Sequence, residues 1–418
     1  LIGKSIHEGA GVVIIDDLKA LDKTQRAAFL ASFIGWALDA FDFFLLTFIL
    51  KDIAAEFHET IKAVTLAIFL TLVARPFGAF VFGRLADRFG RKPVLMFDVG
   101  LYALLALASA FSPNLLVLLV LRCGFGFAMG GEWGIGASLA LETIPVKSRG
   151  VVSGLLQQGY PVGYFLGALA NLALPYIHWR GMLMLGVLPA LLIIYIRRHV
   201  PESPAWEMER RKQAGARPSF IAAMKGHWPR LIYAVALMTC FNFFSHGTQD
   251  LYPTFLKVQH HFAAGTVTTL TILLNLGAIC GGLTFGAVSE KLGRRKGIVL
   301  AALLALPIIP LWAFSSTPLM LGLGAFLIQI AVQGAWGVVP VHLNELSPPA
   351  VRGTFPGFAY QLGNLFAAAN ATLQAGIAEQ HGDNYGLALA LVCGVVAVTL
   401  ALVTWFGPEA KGVDFAKG

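Results

Sequence analysis

Charged side chains are scarce in this chain. They make up 13% of its 418 residues, against roughly 25% in soluble domains, which excludes an ordinary water-soluble fold. Cysteine is scarcer: Cys123, Cys240, Cys280 and Cys393 lie dispersed in apolar segments. With no CxxC spacing among them, a disulfide framework and a thiolate metal site are both excluded, and no metal is expected. There is no Walker A sequence, and the glycine-rich stretch at 124–131 follows no strand, so no phosphate or dinucleotide loop is expected. Ser245, His246 and Asp250 are hydrolase residue types. Successive helical residues point about 100° apart, however, which prevents a relay between Ser245 and His246. Neither an enzyme nor a cofactor is expected. The first apolar stretch is too long for a signal-peptide core and lacks a cleavage-type flank, so no leader is expected. The chain begins at Leu1, not methionine, which suggests a trimmed N-terminus.

What is present is apolar. Hydrophobic residues make up 57% of the chain, 31 of them phenylalanine, and mean hydropathy is +0.71. A membrane crossing needs about 20 apolar residues. Twelve such runs are expected, at 27–50, 61–82, 93–111, 115–141, 150–174, 180–197, 230–256, 265–288, 297–314, 318–343, 353–377 and 385–406. The fold class is therefore an all-α polytopic membrane protein, with the lipid bilayer as its solvent. The +8 net charge does not point to nucleic acid, because the basic residues fall in alternate loops. Arg84, Arg88, Arg91 and Lys92 follow the second run. Lys147 and Arg149 follow the fourth, Arg197, Arg198, Arg210, Arg211, Lys212 and Arg217 the sixth, Lys291, Arg294, Arg295 and Lys296 the eighth, and Arg352 the tenth. The positive-inside rule makes these loops cytoplasmic, with both termini on the same side.

The loop Gly83-Arg84-Leu85-Ala86-Asp87-Arg88-Phe89-Gly90-Arg91-Lys92 recurs from Gly286 to Arg295, an offset of 203 residues. The same offset relates Glu142, Arg149 and Gly150 to Glu345, Arg352 and Gly353, and Gly131, Trp133 and Gly134 to Gly334, Trp336 and Gly337. Six runs thus repeat as six, and an even number means both halves enter from one side, a parallel repeat about the membrane normal. Expected boundaries are a cytoplasmic segment 1–26, a six-helix bundle 27–197, a cytoplasmic linker 198–229, a second bundle 230–406 and a tail 407–418. Asp87 and Glu290 can each pair with arginines or a helix end, either as gates that break between states or as rigid turns. Arg88, Arg91, Glu142, Arg149, Arg294, Glu345 and Arg352 complete the candidate gating set.

This duplicated loop resembles the signature of the major facilitator superfamily, with Glu290 standing where the signature has aspartate. The resemblance implies twelve transmembrane helices in two six-helix bundles, and alternating access around a central site.

Where the halves differ in charge, function is expected. Asp39 maps to Asn242, Phe43 to His246, Thr47 to Asp250, Arg75 to Ala278, Arg122 to Ala325 and Glu132 to Ala335. An ionisable group in a membrane helix costs about 2.5 to 3.5 kcal/mol on insertion scales, so it tends to mark a substrate or proton path. His246 and Asp250 lie one turn apart. Arg75 sits eight residues from Gly83, roughly 12 Å along a helix, too far to snorkel, leaving anion binding or intramembrane pairing. Arg122 is expected to pair with Glu132 or Asp39 or to meet substrate, and Asp98 to be interfacial. Asp39, Asp42 and Glu132 compete with His246 as proton carriers. Gln329 and Gln333 read as ties between helices. Pro253 cannot donate to the carbonyl of Gln249, so a kink is expected there.

The stretch Asn242-x-x-Ser245-His246-x-Thr248-Gln249-Asp250-x-x-x-Thr254 is similar to the seventh-helix motif of fungal lactate and pyruvate proton symporters. These belong to the sialate and lactate branch of the superfamily, which the first helix at 35–44 also resembles. The resemblance implies that Asn242, His246, Gln249 and Asp250 line the path, that Arg75 holds a substrate carboxylate, and that Gln361 and Asn364 set specificity. The expectation is a monomeric symporter of a small organic anion, such as the monocarboxylates lactate and pyruvate, with a proton, in the inner cell membrane. A larger acid such as sialic acid, a nutrient sensor and a channel are the alternatives.

Overall fold

The computed structural model describes residues 21–212 and 219–415. The rest of the expected N-terminal segment (1–20), part of the linker including Arg217, and the last three tail residues lie outside the described residues. The described chain is helical: α1 (Lys23–Phe57), α2 (Ile61–Phe89), α3 (Arg91–Ala110), α4 (Leu115–Thr143), α5 (Arg149–Gln157), α6 (Gly159–Asn171), α7 (Leu174–Met184), α8 (Pro189–His199), α9 (Pro204–Lys212), α10 (Phe220–Ala223), α11 (Trp228–Gln249), α12 (Tyr252–Thr254), α13 (Ala264–Leu292), α14 (Arg294–Ala313), α15 (Pro318–Leu346), α16 (Phe355–Ala367), α17 (Asn370–Gln380) and α18 (Tyr385–Phe406).

The 203-residue offset is reproduced residue for residue in α2 and α13, α3 and α14, and α4 and α15. It extends to the backbone. His58 and His261 both adopt positive φ, at 55° and 53°, and Gly90 and Gly293 do so at 111° and 95°. The glycines turn the chain sharply between α2 and α3 and between α13 and α14, where a side chain would be strained. Each 29-residue helix is about 44 Å long at 1.5 Å per residue, enough to cross the roughly 30 Å hydrocarbon layer and both headgroup zones.

Among the described residues, ten helical stretches are long and apolar enough to cross a membrane. The other two expected crossings are broken. The fifth divides into α5 and α6 at Gln158, and the eleventh into α16 and α17 around Ala368. Three elements also make up the seventh: α11, α12 and a π-helical turn at Phe255–Gln259, so the chain breaks just before Pro253. Together they form the twelve crossings, in two bundles of six. Phe77, Phe97, Leu116, Ile232 and Val395 are each more than half exposed on the outside. Such a belt of apolar side chains is covered favourably by lipid, and the helical backbone beneath it makes its hydrogen bonds within the chain.

Close helix contacts occur where side chains are absent. A Cβ on Gly130 would fall 2.1 Å from the carbonyl oxygen of Arg75, so α4 lies directly against α2. Between the halves, a Cβ on Gly154 of α5 would fall 2.4 Å from the carbonyl oxygen of Gly282 on α13. The contacts between the halves that α5 makes with α13 and α2 makes with α16 lie toward the basic loops.

Candidate functional site

Between the halves lies a cavity of about 240 Å³. The first half lines it with Trp36 and Phe44 of α1, Gln157 of α5, and Tyr160, Pro161 and Tyr164 of α6. From the second half come Asn242, Ser245, His246, Gln249 and Asp250, with Asn275 of α13, Gln333 and Trp336 of α15, and Tyr360 of α16. Phe44, Asp250, Tyr252 and Pro253 place it in the part of the protein away from the basic loops.

His246 is held at both ring nitrogens. Nδ1 lies 3.2 Å from Asp250 Oδ1, one turn along, and Nε2 lies 3.3 Å from Asn364 Oδ1 across the bundle. Both His246 and Asp250 side chains are 38% exposed to the cavity. Neighbouring amides are committed elsewhere: Gln249 donates to Gln329, Gln329 to Thr248, and Gln333 to Ser245, at 3.0, 3.0 and 3.2 Å. These bonds tie α15 to α11. Asn242 donates to the carbonyl of Met238, one turn back. Gln361 is buried outside the cavity lining, and its amide has no hydrogen-bond partner among the described residues.

A second polar centre is sealed inside the first half. Arg75 does not line the cavity; it is 4% exposed, with Nη2 3.5 Å from Asp39 Oδ2. At the midpoint of α2, far from either helix end, it turns toward α1. Arg122 lies over the Phe125 ring at 4.9 Å, and its Nε and Nη2 have no hydrogen-bond partner among the described residues. Asp42, Asp98 and Glu132 are buried, each with both carboxyl oxygens lacking a hydrogen-bond partner among the described residues. The interfacial expectation for Asp98 is corrected: α3 turns it inward, next to Gly131, where it is 0% exposed. Two guanidiniums thus share a buried interior with four carboxyls.

A third set closes the face that carries the basic loops. Asp87 accepts from Gly353 N at 2.7 Å and from Thr354 Oγ1, and Glu290 accepts from Gly150 N. These bonds cross between the halves, and the 203-residue offset exchanges one for the other. Behind them, Arg91 bridges Asp87 and Glu142 at 3.2 and 3.1 Å. Arg294 likewise bridges Glu290 and Glu345 at 3.1 and 2.9 Å. The glutamates therefore pair with these arginines. Arg149 instead donates to the carbonyls of Leu141, Ile144 and Val413, and shares the Phe415 ring with Arg352. Arg88 is exposed over Phe89 and takes no part.

No motif in the sequence marks the aromatic wall or Gln157. Trp133 and Trp336 were visible only as repeat partners, while the run Gln157-Gln158-Gly159-Tyr160-Pro161 held a helix-break signal.

The family model described as the Major Facilitator Superfamily matches residues 32–269, more than half the chain. The chain belongs to the major facilitator superfamily. A second model, described as sugar and other transporter, matches residues 231–412. This superfamily member is 28% identical to the carboxylic acid transporter protein homolog of Saccharomyces cerevisiae, over 97% of this chain and 72% of that one. It is 29% identical to the sialic acid transporter NanX of Escherichia coli, over 94% and 96% respectively. Its fold is similar to that of the proton:xylose symporter XylE, with a TM-score of 0.77 at 18% identity, over 93% and 97% of the two chains.

Proposed function

We propose that this chain is a proton-coupled symporter of small monocarboxylates, such as lactate or pyruvate. It would work in the inner membrane by alternating access, with both termini cytoplasmic. On this reading the basic-loop face is cytoplasmic and closed, so the structure corresponds to an outward-facing state. The carboxylic acid and sialic acid transporters among its relatives support an organic acid as cargo.

One observation carries the coupling. No arginine or lysine lines the cavity among the described residues, so His246 is the one group there able to become cationic. Its two partners, a carboxylate and an amide oxygen, are both acceptors, and both are satisfied when the ring carries two N–H groups. With a neutral ring the His246–Asp250 pair carries −1 and repels an anion; with a protonated ring it carries zero. Proton and anion binding therefore reinforce one another. Moving an anion inward against the membrane potential costs about 2.3 kcal/mol per 100 mV, which one co-transported proton cancels.

Arg75 keeps the role of fixed cation only if α1 and α2 shift within the first half enough to break its pair with Asp39. Asn364 sets specificity from the eleventh crossing through His246, and Gln361, buried outside the lining, joins it where movement brings it to the cavity. Asp39, Asp42 and Glu132, buried in the first half together with Arg122, are the competing proton carriers.

Lactate-driven proton uptake in liposomes tests this reading with His246→Ala and Asp250→Asn. Loss of pH-dependent coupling is expected in both, and full coupling in both refutes the assignment. A larger acidic sugar is the second reading, favoured by the aromatic lining of Trp36, Tyr160, Tyr164, Trp336 and Tyr360, on which a sugar ring can stack. The aromatic lining does not by itself separate the two readings. Thermal stabilisation by lactate, pyruvate, acetate, dicarboxylates and sialic acid at two pH values does.

A further inference from the structure

The second half supplies the cavity with His246, but the first half's arginines are shut behind their own carboxylates. Alternating access couples binding to movement only if the substrate touches both halves, so a first-half contact is needed. Gln157 meets the requirements. It lines the cavity at the last turn of α5, directly before the break at Gln158, and is 7% exposed.

Its amide orientation is set from behind. The Trp133 indole N–H donates to Gln157 Oε1 at 3.4 Å. Trp133 itself is fixed between rings, 4.7 Å from the Tyr360 centroid and 6.4 Å from that of Trp36. With the amide oxygen engaged, the NH₂ group of this cavity-lining residue has no partner among the described residues. An amide in that state presents donors only, which suits a carboxylate. The repeat sharpens the point. Trp336, the second-half counterpart of Trp133, gives its indole N–H to the carbonyl of Phe241, and the counterpart of Gln157 is Tyr360. The donor amide therefore belongs to one half alone.

We infer that Gln157 is the first half's anion-recognising residue, its amide N–H donated to the substrate carboxylate while Trp133 positions it, so that substrate bridges Gln157 and His246. This rests on the organic-acid reading above. The site takes a carboxylate rather than its neutral amide.

The test measures equilibrium binding of L-lactate and of sialic acid to the full chain in detergent at pH 7.5 and 5.5. The variants are Gln157→Glu and Trp133→Phe. Gln157→Glu keeps the shape but turns donors into acceptors. Kd for whichever acid binds the wild type should rise about tenfold or more at pH 7.5, the size of one lost charge-assisted hydrogen bond. At pH 5.5 the variant-to-wild-type ratio should shrink, because a protonated carboxyl regains an O–H donor. A role in packing alone gives no such recovery. Trp133→Phe should raise Kd several-fold, and it keeps the question answerable if the glutamate variant does not fold. Ratios within twofold at both pH values, with the wild type binding normally, overturn this inference alone. A wild type that binds neither acid overturns it together with the reading it rests on.

Discussion

Replacing Asp87 by asparagine should open the basic-loop face. The carboxylate accepts two bonds from the opposite half, from Gly353 N at 2.7 Å and from Thr354 Oγ1, and both exist only while the halves are closed. Asparagine leaves one neutral acceptor, so roughly one charge-assisted bond, about 1.5 to 3 kcal/mol, is lost from the closed state alone. That shifts the open-to-closed ratio by about 10- to 150-fold. Arg91 remains paired with Glu142 at 3.1 Å, so the bundle itself should stay folded. Spin labels on Lys147→Cys and Lys296→Cys, both exposed and one in each half, read the separation on a cysteine-free background. A longer-distance population should appear in Asp87→Asn. Glu290→Gln, related by the 203-residue offset, should act the same way, and the double variant should go further. A distance distribution unchanged from the parent, in protein that elutes as one folded species, would refute the latch.

Other expectations concern packing and the loops. A Cβ on Gly126 would fall 2.1 Å from the carbonyl oxygen of Thr71, whereas one on Gly124 meets only the tip of Leu105 at 3.5 Å. Gly126→Val should therefore lose several degrees of Tm or fail to express, because backbone cannot yield as a side chain does, while Gly124→Ala stays near the parent. Equal Tm in the two variants would show that α2 and α4 separate readily. Glu202 caps α3 by accepting from the Arg91 and Lys92 backbone N–H groups, and burial raises its carboxyl above the usual glutamate range despite those bonds. A raised folded value means stability is fully present below the unfolded value and is lost as pH rises through the folded one. Glu202→Gln should therefore gain Tm relative to the parent at pH 7.5 and lose that advantage at pH 4. A pH-independent difference would reject this.

The chain's organisation was legible in the sequence because a membrane helix satisfies its own backbone. Length, apolar content and the 203-residue repeat are local properties, and they locate the halves, the sharp turns at Gly90 and Gly293, and the loops that meet on one face. The same is true of the one-turn pairing of His246 with Asp250, which four-residue spacing places side by side. Rotation of each helix about its axis was not legible. These helices are apolar nearly all round, so no stripe says which side faces lipid, cavity or core. Only packing decided that Asp98 turns inward, that Arg75 is shut behind Asp39 away from the cavity, and that Gln157 and Tyr360 meet the open space. In a buried interior a charge takes whichever opposite charge a neighbouring helix presents, as Arg75 of α2 takes Asp39 of α1, and packing decides which helices are neighbours, not spacing along the chain.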